Sequence, residues 1–276
     1  MDKVIVINRS NNIGDLLCHL RGLREWKDQH PNTLIDFASC FSLYSEVACH
    51  TDIFNEVMCV PVKIDDLALN YKQKGYLDKI EFKNDWKRSL RDGLLSGWVY
   101  PTLGFIPKNQ KPYFNIDEEE EYQAKGQHTL IMSKFQFRKS VLIQPEAPSN
   151  RSRGFLPCDY DKLADLIPND CAIFYPASIT RAIENSFTSR KNLLTLPAYP
   201  IGLTAALMKI VDLNLVVHGG FAFLAYAVNA PHIIQMHFLK EGGLKLLTIP
   251  RATDVVFGDN ESVDWDKLKK AIDKYL

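Results

Sequence analysis

The sequence predicts an α/β protein built from two doubly wound parallel-sheet domains. Three observations carry that prediction. Apolar, β-branched runs such as "KVIVIN" (3–8) and "SVLIQP" (140–145) do not alternate with polar residues, which suits strands covered on both faces. Each run leads through a short loop into an apolar stripe of helical spacing and then into another strand. The rhythm fades after residue 64 and restarts at residue 140, so it occurs twice.

The first block reads in order. After "KVIVIN" and the loop "RSNNIGD", residues 16–30 form a helix with Leu16, Leu20 and Leu23 on one stripe, and Pro31 stops it. "TLIDFASC" is a strand, "SLYSEVACH" a helix and "NEVMCVPV" a short strand. One helix is expected within "LDKIEFKNDWKRSLRDGLL" (77–95). "DEEEEYQAKGQ" (117–127) is acidic without apolar period and is expected to be a solvated loop near a domain boundary. The first domain is placed at 1–135 and the second at 136–276.

In the second block "CDYDKLADLIP" is a helix, "CAIFYP" a strand, "IGLTAALMKIV" a helix, "LNLVVHGG" a strand, "FAFLAYAVNA" a helix and "HIIQMH" a strand. The tail from 262 to 276 is a closing helix, with Ser262 as N-cap and Trp265, Leu268 and Ile272 on its apolar stripe. Ligands of such sheets bind outside the carboxyl ends of the strands, so two facing domains predict a site in a central cleft.

A chain of 276 residues with 46% hydrophobic and 24% charged residues is ordinary for a globular protein with a sizeable core. Lys plus Arg equals Asp plus Glu, 33 each, so net charge advertises neither nucleic acid nor an anionic membrane as partner. Six scattered cysteines without a CxxC pair point to reduced thiols and a cytoplasmic protein. No signal peptide and no 18-residue apolar run are visible.

The candidate sites lie at strand ends. Gly219 and Gly220 sit where a strand hands over to a helix. Bare amides and the helix dipole there favour an anion, and glycine lets a phosphate approach the backbone; a tight turn alone would also use them. No Walker lysine and no GxGxxG motif appear, so neither a P-loop nor a standard dinucleotide site is supported. The loop "EAPSNRSRG" carries Arg151 and Arg153, suited to phosphate oxygens or to plain surface charge. Sharing a sheet edge with the glycines favours a diphosphate-binding second domain. Ser149 in that loop, with His218 and Phe221 beside the glycines, completes the donor-side candidates. In the first block Asp15 opens a helix, either as dipole compensation or as a general base. Asn11 and Asn12 cap the turn or meet a polar ligand, and Gly14 lets the backbone turn. The seven histidines show no zinc spacing, so no metal and no cofactor are expected.

These stretches together resemble the heptosyltransferase family, the ADP-heptose:lipopolysaccharide type of GT-B glycosyltransferase. "VIVINRSNNIGDLLCHLRGLREWKDQHPNTLIDFASC" is similar to the family's strand, G-D loop, helix and "P-x-x-x-I-D-F" strand. "VLIQPEAPSNRSRGFLP" and "LTAALMKIVDLNLVVHGGFAFLAYAVNAP" continue the likeness, the last like its strand, D-[ST]-G, helix, proline element. The resemblance implies a GT-B fold, a nucleotide-sugar donor in the C-terminal domain, an acceptor in the N-terminal domain, and no metal. It puts the catalytic aspartate on Asp15, the phosphate-binding backbone on Gly219 and Gly220, and a basic phosphate contact on Arg153 or Arg151. His218 stands where the family has Asp and Phe223 where it has His, which implies a donor sugar other than heptose or weak turnover. The expected acceptor is a hydroxyl of a saccharide or glycolipid. Two alternatives stay open: a GT-B enzyme acting on hydroxymethylated bases in DNA, for which Lys87, Arg88, Arg91, Lys134, Arg138 and Lys139 would form the basic face, and a non-catalytic nucleotide-sugar binder.

Overall fold

The computed structural model describes residues 2–9, 12–61, 63–82, 103, 107–109, 111–144, 157–176, 191–196, 199–238, 248–259 and 262–276. The chain divides into two compact units, Met1–Asn115 and Ile116–Leu276.

The N-terminal unit holds strands β1 (Lys3–Asn8), β2 (Leu34–Ser39), β3 (Glu56–Cys59) and β4 (Asp78–Phe82), with helices α1 (Ile13–Gln29), α2 (Ser42–Cys49) and α3 (Ile64–Leu69). The strands are all parallel, in the order β3-β2-β1-β4. Strands β1 and β2 are buried along nearly their whole length, as the apolar run of β1 predicts. α1 turns Leu16, Leu20 and Leu23 into the core, and all three are fully buried.

Asp36 is a fully buried carboxylate in this apolar sheet. It is compensated three ways: Lys3 Nζ at 2.7 Å, the Tyr76 hydroxyl donating at 2.9 Å and Asn55 Nδ2 donating at 3.1 Å. Burying a charge is tolerable only with such satisfaction. The carboxylate in turn pushes the Tyr76 phenol up, after the larger effect of burial.

The C-terminal unit begins with α4 (Glu118–Phe135) and continues β5 (Lys139–Gln144), α5 (Pro157–Asp165), β6 (Cys171–Pro176), β7 (Leu193–Leu196), α6 (Ile201–Ile210), β8 (Leu213–Val217), α7 (Gly220–Ala227), β9 (Ile233–His237), β10 (Asp254–Phe257) and α8 (Trp265–Ile272). Its sheet is parallel throughout, in the order β10-β9-β8-β5-β6-β7. Relabelled from its first strand, that is the 3-2-1-4-5-6 order of a dinucleotide-type sheet. Val141, Ile143, Leu215, Val217, Ile234 and Met236 form one core face with Leu268, Ala271 and Ile272 of α8. The closing helix therefore docks on this sheet.

Three expectations are corrected. Residues 118–135 are a helix rather than a loop. Asp117 and Glu120 form a reciprocal capping box, and Glu118 to Glu121 fill the first turn, where the helix dipole favours them. Only Ala124 of α4 is buried, so no apolar stripe announces it. α4 is tied to its own unit by Lys209 pairing with Glu121 and by Tyr199 donating to Gln127 at 2.9 Å. The units accordingly divide after Asn115 rather than near residue 135. Second, residues 78–82, at the start of the stretch expected to hold a helix, are a strand paired parallel with β1; the rest of that stretch lies outside the described residues. Third, the N-cap of α8 is Asp264, whose carboxylate accepts from Lys267 N at 3.0 Å, while Ser262 Oγ accepts from the Trp265 indole at 3.0 Å.

Candidate functional site

In each sheet the strand order reverses beside the first strand of the unit. That switch point lies between β1 and β4 in one sheet and between β5 and β8 in the other. Helices leave on opposite faces there, which opens a crevice at the carboxyl ends. Asp15 follows β1, and Gly219-Gly220 follows β8.

At the first switch point Asn12 is the N-cap of α1. Its backbone is extended, and its Oδ1 accepts from Gly14 N at 2.8 Å. Its structural role is thus a cap, one of the two uses the sequence allows. Gly14 is buried in the first turn of α1, and Asp15 beside it is half-buried. The Asp15 carboxylate is felt by two neighbours. The Tyr44 phenol is pushed up to about 12 by burial first, then by Asp15 and by Cys40. The buried Cys18 thiol is pushed far up, again by burial first and Asp15 second. Tyr44 carries no sequence signal; only the packing of α2 against α1 brings it near. Asn11 lies outside the described residues.

At the second switch point Gly219 is the N-cap of α7, with φ 155 and ψ −166. This region is essentially closed to residues with a Cβ, so the backbone path itself requires glycine. The Gly219 carbonyl accepts from Ala222 N at 3.1 Å and Phe223 N at 3.3 Å. The amides of Gly220 and Phe221 then have no intrahelical acceptor and stand at the positive end of the dipole. The Phe221 and Phe223 rings are buried, so they pack rather than offer a stacking platform.

His218 continues the ladder beyond β8, its N–H donating to Met236 O at 3.1 Å. Its ring lies on His237, the last residue of β9, with centroids 5.0 Å apart and planes within 3°. His237 in turn meets Phe257 at 5.0 Å. His237 is missing from the sequence candidates, although two adjacent strands ending in histidine are a readable signal. Ser149, Arg151 and Arg153 lie outside the described residues.

Of the expected basic face, Arg138 pairs with Asp170 at 2.9 Å and Lys139 with Asp212 at 3.1 Å, while Lys134 lies over the Phe135 ring. Lys87, Arg88 and Arg91 lie outside the described residues. A groove of about 570 Å³ between α4 and α6 is lined by Tyr122, His128 and Ile210 among others, and it belongs to helix packing rather than to the strand ends. Among the described residues no helix is long and apolar enough to cross a membrane, and the described cysteines are free thiols.

Two parallel sheets, each with a helix-bearing loop at its switch point, define a GT-B fold. Solved structures with that fold align over the whole chain. The glycosyl transferase family 9 protein of Veillonella parvula matches with a TM-score of 0.68 and 12% identity, covering 100% of this chain and 93% of the other. The ADP-heptose lipopolysaccharide heptosyltransferase II of E. coli matches at 0.66 and 11% identity, covering 100% and 98%. The E. coli heptosyltransferase WaaC with ADP-2-deoxy-2-fluoro heptose matches at 0.60 and 11% identity, covering 100% of both chains. No family model matches the sequence, and no curated protein does. The likeness is therefore one of fold.

Proposed function

We propose that the chain is a glycosyltransferase that moves a sugar from a nucleoside-diphosphate sugar to a hydroxyl acceptor on a saccharide or glycolipid. The observation that carries this reading is the Gly219 corner: a glycine-only backbone, two amides without helical acceptors and a dipole end, all at the switch point of a dinucleotide-type sheet. A diphosphate satisfies such a corner without help from side chains. The fold shared with heptosyltransferases, one of them holding an ADP-heptose analogue, supports a sugar-bearing nucleotide and puts ADP-sugars first among donors to test.

In this reading Asp15 takes the acceptor proton as the acceptor oxygen bonds to the sugar C1. The C1–O bond to the diphosphate breaks, and the nucleoside diphosphate leaves. The Gly220 and Phe221 amides, the α7 dipole and Arg153 or Arg151 meet its charge, in place of a metal ion. Losing one such donor costs about 2.7 to 4 kcal/mol of activation energy. Loss of the base costs about 10²- to 10⁴-fold in rate.

The test is a thermal-shift panel of ADP-, UDP-, GDP- and CDP-sugars, followed by transfer assays. A true donor at 100 times its Kd adds about 2.7 kcal/mol of stability. Asp15→Asn is expected to keep that stabilisation and lose transfer. A panel without any stabilising sugar nucleotide, or an Asp15→Asn protein with full transfer rate, refutes the reading.

A further inference from the structure

The ring column beside the glycine corner has a chemistry of its own. Register places Val217 beside Met236 and His237 beside Phe257, so His218, one residue past β8, stands beside the strand ends His237 and Phe257. Side chains alternate along strands. Met236 and Val256 face α8, so these three rings lie on the opposite face. His237 is 1% exposed, and its Nε2 meets no hydrogen-bond partner among the described residues. It is sandwiched between Phe257 at 5.0 Å and His218 at 5.0 Å. His218 is half-buried and adjoins the open Gly220 and Phe221 amides.

Two parallel imidazoles at this spacing cannot both be charged in a poorly solvated site. Burial first, and His218 second, lower His237 to about 4, so the inner ring is the neutral one near pH 7. Among the described residues, the ionisable groups on the neighbouring elements have partners of their own. Asp254 at the start of β10 is held by Lys274 and Tyr275. Arg251 donates to the carbonyls of Asn229 and Ala230. Asp259, beyond Phe257, accepts from Ser262 N. α7 packs on β8 and β9 and carries only Tyr226 as an ionisable side chain. The charged residues of α8 stand on the far face of the sheet.

We propose that His218 and His237 form a one-proton pair, in which an anionic sugar diphosphate at the Gly219-Gly220 corner draws the proton onto His218. This rests on the donor reading of that corner. His237 is the positioning residue: it stacks His218 toward the corner and stays neutral itself. A charged imidazole then gives the diphosphate a charge-assisted hydrogen bond where a carboxylate would repel it.

Histidine C2–H resonances of the ligand-free protein, followed from pH 5 to 8, test the pair. His218 is expected to titrate there and His237 to stay neutral. His218→Phe keeps a ring stacked on His237, removes the competing charge and moves the His237 midpoint up from about 4. Calorimetric titration with ADP-glucose and UDP-glucose, whose diphosphate diesters take up no proton of their own in this range, tests the linkage. In buffers of different ionisation enthalpy, binding is expected to take up about one proton above the His218 midpoint and to weaken about tenfold per pH unit there. His218→Asn is expected to flatten that profile. Independent titration of the two histidines, or a His237 midpoint unmoved in His218→Phe, overturns the pair. Binding without proton uptake overturns the linkage and leaves the donor site standing. Failure of both sugar nucleotides to bind at any pH, while the histidines titrate as a pair, overturns the donor reading and the linkage with it.

Discussion

Acid should unfold the N-terminal unit through His19. This side chain sits on α1, fully buried, with its ring 4.5 Å from that of Phe82. Burial lowers its pKa from 6.5 to about 3. In the unfolded chain the imidazole takes its proton near pH 6.5; in the folded chain it refuses one until about pH 3. Between those values the unfolded state binds more protons, so stability falls as pH falls. Stability is intact above pH 6.5 and drains as pH drops toward 3. At pH 4.5 the loss works out at about 2.7 kcal/mol for a shift from 6.5 to about 3. That is a large share of the roughly 5 to 15 kcal/mol that stabilises a typical protein. The assay is urea unfolding at pH 7.5, 5.5 and 4.5, comparing the wild type with His19→Leu, which keeps an apolar group in the slot. The variant's advantage should grow by about 2.7 kcal/mol from pH 7.5 to 4.5. Parallel profiles, with a gap constant to within about 0.5 kcal/mol, would refute the reasoning.

Other outcomes follow from particular contacts. A Cβ at Gly202 would stand 1.9 Å from Glu120 Oε1, the carboxylate that closes the α4 capping box. Gly202→Ala should therefore forfeit its usual helix gain of about 1 kcal/mol in the wild type and recover it in a Glu120→Ala background; equal effects in both backgrounds in urea melts would contradict this. Tyr76→Phe strips one donor from buried Asp36 and should cost about 1.5 to 3 kcal/mol in chemical denaturation. Gly219→Ala should cost about 1 to 3 kcal/mol from backbone strain alone, measurable without any ligand, since its φ of 155 excludes a Cβ. A variant as stable as the wild type would show that the corner tolerates another path.

Much of the fold is legible along the chain because both sheets are parallel and covered on two faces. "KVIVIN", "LIDFAS" and "LNLVV" read as largely apolar runs without alternation for that reason, and the helices between them show their stripes. α4 escapes such reading because burial of Ala124 alone leaves no period. The signal that does exist is chemical: Asp117 with Glu120 three residues on, ahead of an acidic first turn. β4, β7 and β10 escape because they are short and earn their strand geometry from neighbours far off in sequence. Asp15 and the glycine pair can be nominated from sequence because loops after buried strands are where such folds place function.

The sequence by itself determined the local facts: which runs bury, which stripes make helices, and where strands hand over to helices. Tertiary structure alone decided the associations. It set strand order, and with it the switch points beside Asp15 and Gly219. It moved α4 into the C-terminal unit, sank His19 against Phe82, and laid His218 on His237. The physical reason is range. Capping and periodicity act within a few residues, whereas burial, ring stacking and charge coupling depend on distances that only the packed chain fixes.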